Sequence, residues 1–103
     1  MKFLKQLFGH SNTTNLTELI SNGAFLVDVR TVGEFAGGSV KGADNIPLDT
    51  LSNQLAKFKN KPHIIIFCQS GMRSSQAASI LKQSGFTNIT NGGSWKSVSQ
   101  YVK

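Results

Sequence analysis

The chain has 103 residues, enough for one domain around one core. Its single cysteine, Cys68, excludes an internal disulfide and the usual four-ligand zinc site, and its two histidines, His10 and His63, show no ligand spacing. The net charge of +6 comes mostly from lysines spread along the chain, with a modest cluster at Lys57, Lys59 and Lys61. There is no arginine block and no interleaving of aromatics, so no nucleic-acid partner is expected. A basic surface able to attract a small anionic substrate is what the charge leaves.

Residues 1–14 read as an N-terminal extension or short helix, and residues 15–103 as the domain. Met1 to Phe8 is basic and partly apolar, but Lys5, Gln6 and His10 interrupt it, so no export-type apolar core forms. No stretch is long enough for stable membrane insertion. Asn12 to Asn15 is turn-prone, and Thr14 or Asn15 is a candidate cap for a helix through Leu16, Leu19 and Ile20 that Gly23 ends. Phe25 to Val29 is a short buried strand interrupted by Asp28. A buried carboxylate needs partners. The structural expectation is that Asp28 accepts hydrogen bonds from loop backbone and that Arg30 pairs with Glu34.

Thr31 to Lys41, with three glycines, reads as loop with a helical turn around Val32 to Phe35. Gly42 to Pro47 leads into a very short strand. Leu48, Leu51, Leu55 and Phe58, spaced three or four apart, predict an amphipathic helix. His63 to Phe67 is the most apolar strand and a central one. Ser74 or Ser75 opens a helix with Ala77, Ala78, Ile80 and Leu81 as its buried stripe, and Gly85 follows it. Thr87 to Thr90 reads as a last strand, Asn91-Gly92-Gly93 as a turn, and Ser94 to Val102 as a final short helix. Strands alternating with helices predict an α/β domain with a small, mostly parallel sheet of about five strands, flanked by helices on both faces.

Ligands of such sheets bind beyond the carboxyl ends of the strands. Cys68 lies there, between the apolar run Ile64 to Phe67 and the helix that follows. The free N–H groups and dipole of a helix's first turn favour negative charge, so the thiol should lose its proton more readily than a free one. A lone cysteine after a strand is most often an inert core residue. Here Gln69, Ser70, Gly71 and Arg73 make its flank polar and loop-like, which points to a reactive thiol. Backbone N–H groups of such a loop can cradle an anion, Gly71 lets it turn, Arg73 supplies a fixed cation, and Ser70 and Ser74 supply hydroxyls. A thiol that must stay reduced fits the cytoplasm.

Three ordered motifs then carry a resemblance over Phe25 to Lys96. They are Asp28-Val29-Arg30 with Glu34-Phe35, Gly38 and Gly42 to Pro47; Cys68-Gln69-Ser70-Gly71-Met72-Arg73-Ser74; and Gly85-Phe86 with Asn91-Gly92-Gly93 and Trp95. The chain resembles a single-domain rhodanese, a sulfurtransferase. The resemblance implies that Cys68 carries a sulfane sulfur as a persulfide, taken from an anionic or persulfide donor and passed to a thiol or cyanide. It implies that residues Gln69, Ser70, Gly71, Met72, Arg73 and Ser74 bind the substrate, with Asp28, Arg30 and Glu34 as structural support and no metal or other cofactor. Ser39 stands where many members have histidine, and Gln69 where thiosulfate-using members often have a second basic residue. The latter leaves protein persulfides and polysulfides open as donors. The alternatives are a partner-dependent sulfur-relay or binding module and, further off, a cysteine phosphatase or arsenate reductase. Phosphatases place five residues between cysteine and arginine, whereas Arg73 comes one residue earlier.

Overall fold

The computed structural model describes residues 16–103, so the expectations for the N-terminal extension and for the caps Thr14 and Asn15 lie outside the described residues. The sheet consists of β1 (Phe25–Asp28), β2 (Asp44–Asn45), β3 (Ile64–Cys68) and β4 (Ile89–Ser94), in the order β2-β1-β3-β4. All pairings are parallel. The described residues thus form four strands rather than about five. The helices are α1 (residues 16–21), α2 (Val32–Ala36), α3 (Met72–Gln83) and α4 (Trp95–Ser99).

Strand β3 shows why the sheet is covered on both faces. Successive strand residues point to opposite faces. Ile64, Ile66 and Cys68 enter one core with Val27, Val29, Leu51, Phe58, Ala77 and Leu81. Ile65 and Phe67 enter the other, with Leu16, Leu26, Val40 and Val98. The first core lies under α3 and the segment after β2; the second lies under α1 and α4. A strand buried on both sides must be apolar throughout, which is why the run from Ile64 to Phe67 does not alternate with polar residues.

The segment from Leu48 to Phe58 departs from the expected amphipathic helix. It forms two 3-10 helices, Leu48–Asn53 and Leu55–Phe58, separated at Gln54. Leu48 and Leu51 pair at a spacing of three, as do Leu55 and Phe58, and that spacing aligns side chains in a 3-10 helix. Helix α3 begins at Met72, not Ser74 or Ser75, with Gly71 as its N-cap in the left-handed region. At its other end Gly85 also has positive φ, with Gly85 N–H donating to Lys82 and Phe86 N–H to Leu81. This is the glycine-terminated helix end that the sequence suggests.

Asn91-Gly92-Gly93 is not a turn but part of β4. Ile66 pairs with Asn91 and Phe67 with Gly93, so Gly92 is the extra residue of a bulge. A Cβ on Gly92 would lie 2.6 Å from Val98 Cγ2 and 3.1 Å from Ile65 Cγ2, so the close packing of α4 on the sheet requires glycine here.

Candidate active site

The chain leaves β1 for one edge of the sheet and β3 for the other, so the switch in direction falls between these two neighbours. Ligand crevices in open α/β sheets form at this kind of point. Helix α2 follows β1 there, and the loop 69–71 followed by α3 leaves β3 there.

Cys68 is the last residue of β3 and is 1% exposed. Gly71 N–H donates to its Sγ at 3.0 Å and Ser74 N–H at 3.4 Å. The left-handed conformation of Gly71, φ 105°, lets the loop fold back over the sulfur, a conformation strained for other residues. Ser74 Oγ lies 3.5 Å from the sulfur, 2.7 Å from Asn91 Oδ1 and 3.1 Å from the Gly71 carbonyl. Its one hydroxyl proton therefore has a choice of acceptors. When the sulfur is a thiol, S–H donates to Ser74 and Ser74 donates to Asn91; when it is a thiolate, Ser74 can turn its proton to the sulfur.

Burial is the largest influence on Cys68 and opposes ionisation. The Ser74 hydroxyl and the N–H groups of Ser74, Gly71 and Ser70 together outweigh it, so the thiol titrates below its ordinary value. The expected depression thus has a local cause. Asn91 is a residue that sequence reasoning missed. Its Oδ1 also accepts from Gly93 N–H at 3.0 Å, fixing the β4 bulge, and the same oxygen holds Ser74 beside the sulfur.

Arg73 and Glu34 form a two-point ion pair across the crevice, NH1 to Oε1 at 2.7 Å and NH2 to Oε2 at 3.1 Å. Glu34 is fixed independently by a capping box. Its Oε1 accepts from Thr31 N–H at 3.0 Å, while Thr31 Oγ1 accepts from Glu34 N–H at 3.2 Å. The bond from Arg73, followed by that from Thr31 N–H, holds the Glu34 carboxyl down to about 2.

Arg30 does not pair with Glu34. Its Nε and NH2 grip both oxygens of Asp28 at 2.7–3.0 Å, and its backbone N–H donates to Asp28 Oδ1 at 2.9 Å. Asp28 also accepts from Ser39 Oγ at 2.7 Å. Arg30 NH2 further donates to the Gly38 carbonyl at 2.6 Å, and the guanidinium lies 5.0 Å from the Trp95 ring centre. This buried assembly secures the β1 side of the crevice. Among the other expected binding residues, Gln69, Ser70 and Met72 are exposed and Gly71 and Arg73 half-buried, so the loop's backbone rather than its outer side chains surrounds the sulfur.

The family model for the rhodanese-like domain matches residues 12–100. The chain belongs to the rhodanese family. A Bacillus subtilis protein designated YqhL is 40% identical over 68 residues, covering 66% of this rhodanese but 54% of that relative, so the match spans about half the relative's length. The human thiosulfate:glutathione sulfurtransferase is 36% identical over 91 residues, covering 74% of this chain and 79% of its own. A solved human single-domain sulfurtransferase superposes with a TM-score of 0.71 at 34% identity, covering 82% of this chain and 88% of that one. No helix among the described residues of this rhodanese is long and apolar enough to cross a membrane.

The donor set around Cys68 carries a prediction. Ser74→Ala removes the hydroxyl and leaves the backbone donors, so the Cys68 thiol should titrate higher than in the parent. Because only the thiolate is alkylated, the midpoint of the iodoacetamide rate against pH should move up. An unchanged or lower midpoint would show that Ser74 does not stabilise the thiolate.

Proposed function

We propose that this rhodanese moves a sulfane sulfur from a donor to a thiol or cyanide acceptor through a persulfide on Cys68. The observation that carries the reading is the convergence of the Gly71 and Ser74 donors on the sulfur, which favours the thiolate. In the first step the Cys68 thiolate bonds to the donor's outer sulfur. The donor's S–S bond breaks, and sulfite or a thiolate leaves with the bonding pair. In the second step an acceptor thiolate or cyanide attacks the outer sulfur of the persulfide and displaces Cys68 as thiolate. Each nucleophile attacks as an anion and neither leaving group requires protonation, so the scheme needs no dedicated general base or general acid.

The human relative, whose name gives thiosulfate and glutathione, supports a small-molecule donor and a thiol acceptor. The expected result is thiocyanate release when the purified protein is given cyanide with thiosulfate, benzenethiosulfonate or glutathione persulfide. Absence of product with every donor, while Cys68 remains open to alkylation, would overturn the reading.

A further inference from the structure

Beside the sulfur loop a cleft of about 310 Å³ opens at the carboxyl ends of the strands, lined by Val29, Thr31, Pro47, Leu48, Asp49 and Arg73. Val29, Pro47 and Leu48 make much of this wall apolar. The cleft's charge contrasts with that of the whole chain. Among the described residues Arg73 is the one cation in its lining, Asp49 is a carboxylate in the same lining, and Glu34 occupies both terminal nitrogens of Arg73. The guanidinium is thus already bound to one carboxylate, and a second lines the same cleft, in a protein of net charge +6. Glu34 is held by Thr31 as well as by Arg73, so the carboxylate is positioned by its own helix.

A small dianion reaching Cys68 must compete with Glu34 for Arg73 and approach two carboxylates. An organic donor with one negative charge meets less repulsion and can lay its body on Val29, Pro47 and Leu48. We propose that Cys68 takes sulfur from a monoanionic donor with an apolar organic body, of the thiosulfonate or organic persulfide class, seated in this cleft, and that Glu34 discriminates against the dianion thiosulfate. The inference rests on the sulfurtransferase reading and adds its donor class. With a thiosulfonate, the Cys68 thiolate bonds to the outer sulfur, the bond from that sulfur to the sulfonyl sulfur breaks, and a sulfinate departs with the electron pair. The products are the persulfide anion and the sulfinate, and charge balances without another reactant.

The test is steady-state thiocyanate release by the full chain with thiosulfate or benzenethiosulfonate as donor. These donors share the outer sulfur but carry two charges and one. Glu34→Gln keeps an acceptor for Thr31, since glutamine also serves in a capping box, and removes the charge. It should lower KM for thiosulfate about fivefold and change KM for benzenethiosulfonate by less than about twofold. Leu48→Ser should do the reverse, raising KM for benzenethiosulfonate about fivefold with little effect on thiosulfate. A donor ratio unchanged in both variants would overturn the proposal. So would a raised thiosulfate KM in Glu34→Gln, which would make Glu34 only a support for Arg73. No product from the parent with either donor would instead remove the sulfurtransferase reading, and this inference with it.

Discussion

Cys68→Ser is expected to reduce sulfur transfer from every donor by at least about a thousandfold, with the fold retained. The serine hydroxyl fits the space of the thiol, and Gly71 N–H and Ser74 N–H remain there to be accepted. What is lost is the chemistry. The donors around residue 68 bring a thiol below its ordinary pKa, whereas a serine hydroxyl remains protonated at neutral pH and forms no persulfide. Among the described residues the one histidine, His63, lies at the opposite end of β3, where it bonds to Thr90, and does not activate the hydroxyl. Turnover with the variant should match that of buffer, with an unchanged circular dichroism spectrum. Substantial residual turnover would place the carrier sulfur elsewhere or indicate direct donor-to-acceptor transfer.

The second large effect is on stability. Asp28→Ala should destabilise the domain by about 3–5 kcal/mol, the usual consequence of leaving one member of a buried ion pair without its partner. Asp28 is fully buried and Arg30 is 3% exposed, so water cannot replace the lost oxygens without opening the site. Ser39 Oγ loses its acceptor in the same variant. Against a typical total stability of about 5–15 kcal/mol, that loss is large. Arg30→Leu combined with Asp28→Ala should recover part of it, because the uncompensated guanidinium is then removed. Urea unfolding of the parent, single and double variants measures this directly. A single-variant loss below about 1 kcal/mol would show that Arg30 reaches solvent or a substitute acceptor.

The location of the thiol was legible because two strong local signals meet there: an apolar run too continuous for a half-exposed strand, and a polar loop with Gly71. The partner of Arg30 was misread because a separation of four suggests a helical pair with Glu34. Instead, Asp28 and Arg30 lie two apart at the end of a strand, on one face, and they meet each other. Glu34 is thereby free for Arg73, a contact between residues 39 apart that local spacing does not encode. Asn91-Gly92-Gly93 has the composition of a turn, and only the packing of Val98 and Ile65 against Gly92 makes it a bulge. That bulge positions Asn91 at Ser74, so the missed residue and the misread element share one cause. The net charge of +6 suggested attraction of anions, but the cleft lining contains Asp49 as well as Arg73, and Glu34 is bound to Arg73.

The most direct test of Cys68 as a sulfur carrier is intact mass spectrometry after incubation with benzenethiosulfonate and removal of excess donor. The account predicts a gain of one sulfur atom that cyanide or dithiothreitol removes and that Cys68→Ser does not acquire. A parent protein that gains no sulfur under conditions in which it produces thiocyanate, or a variant that gains it equally, would contradict the account.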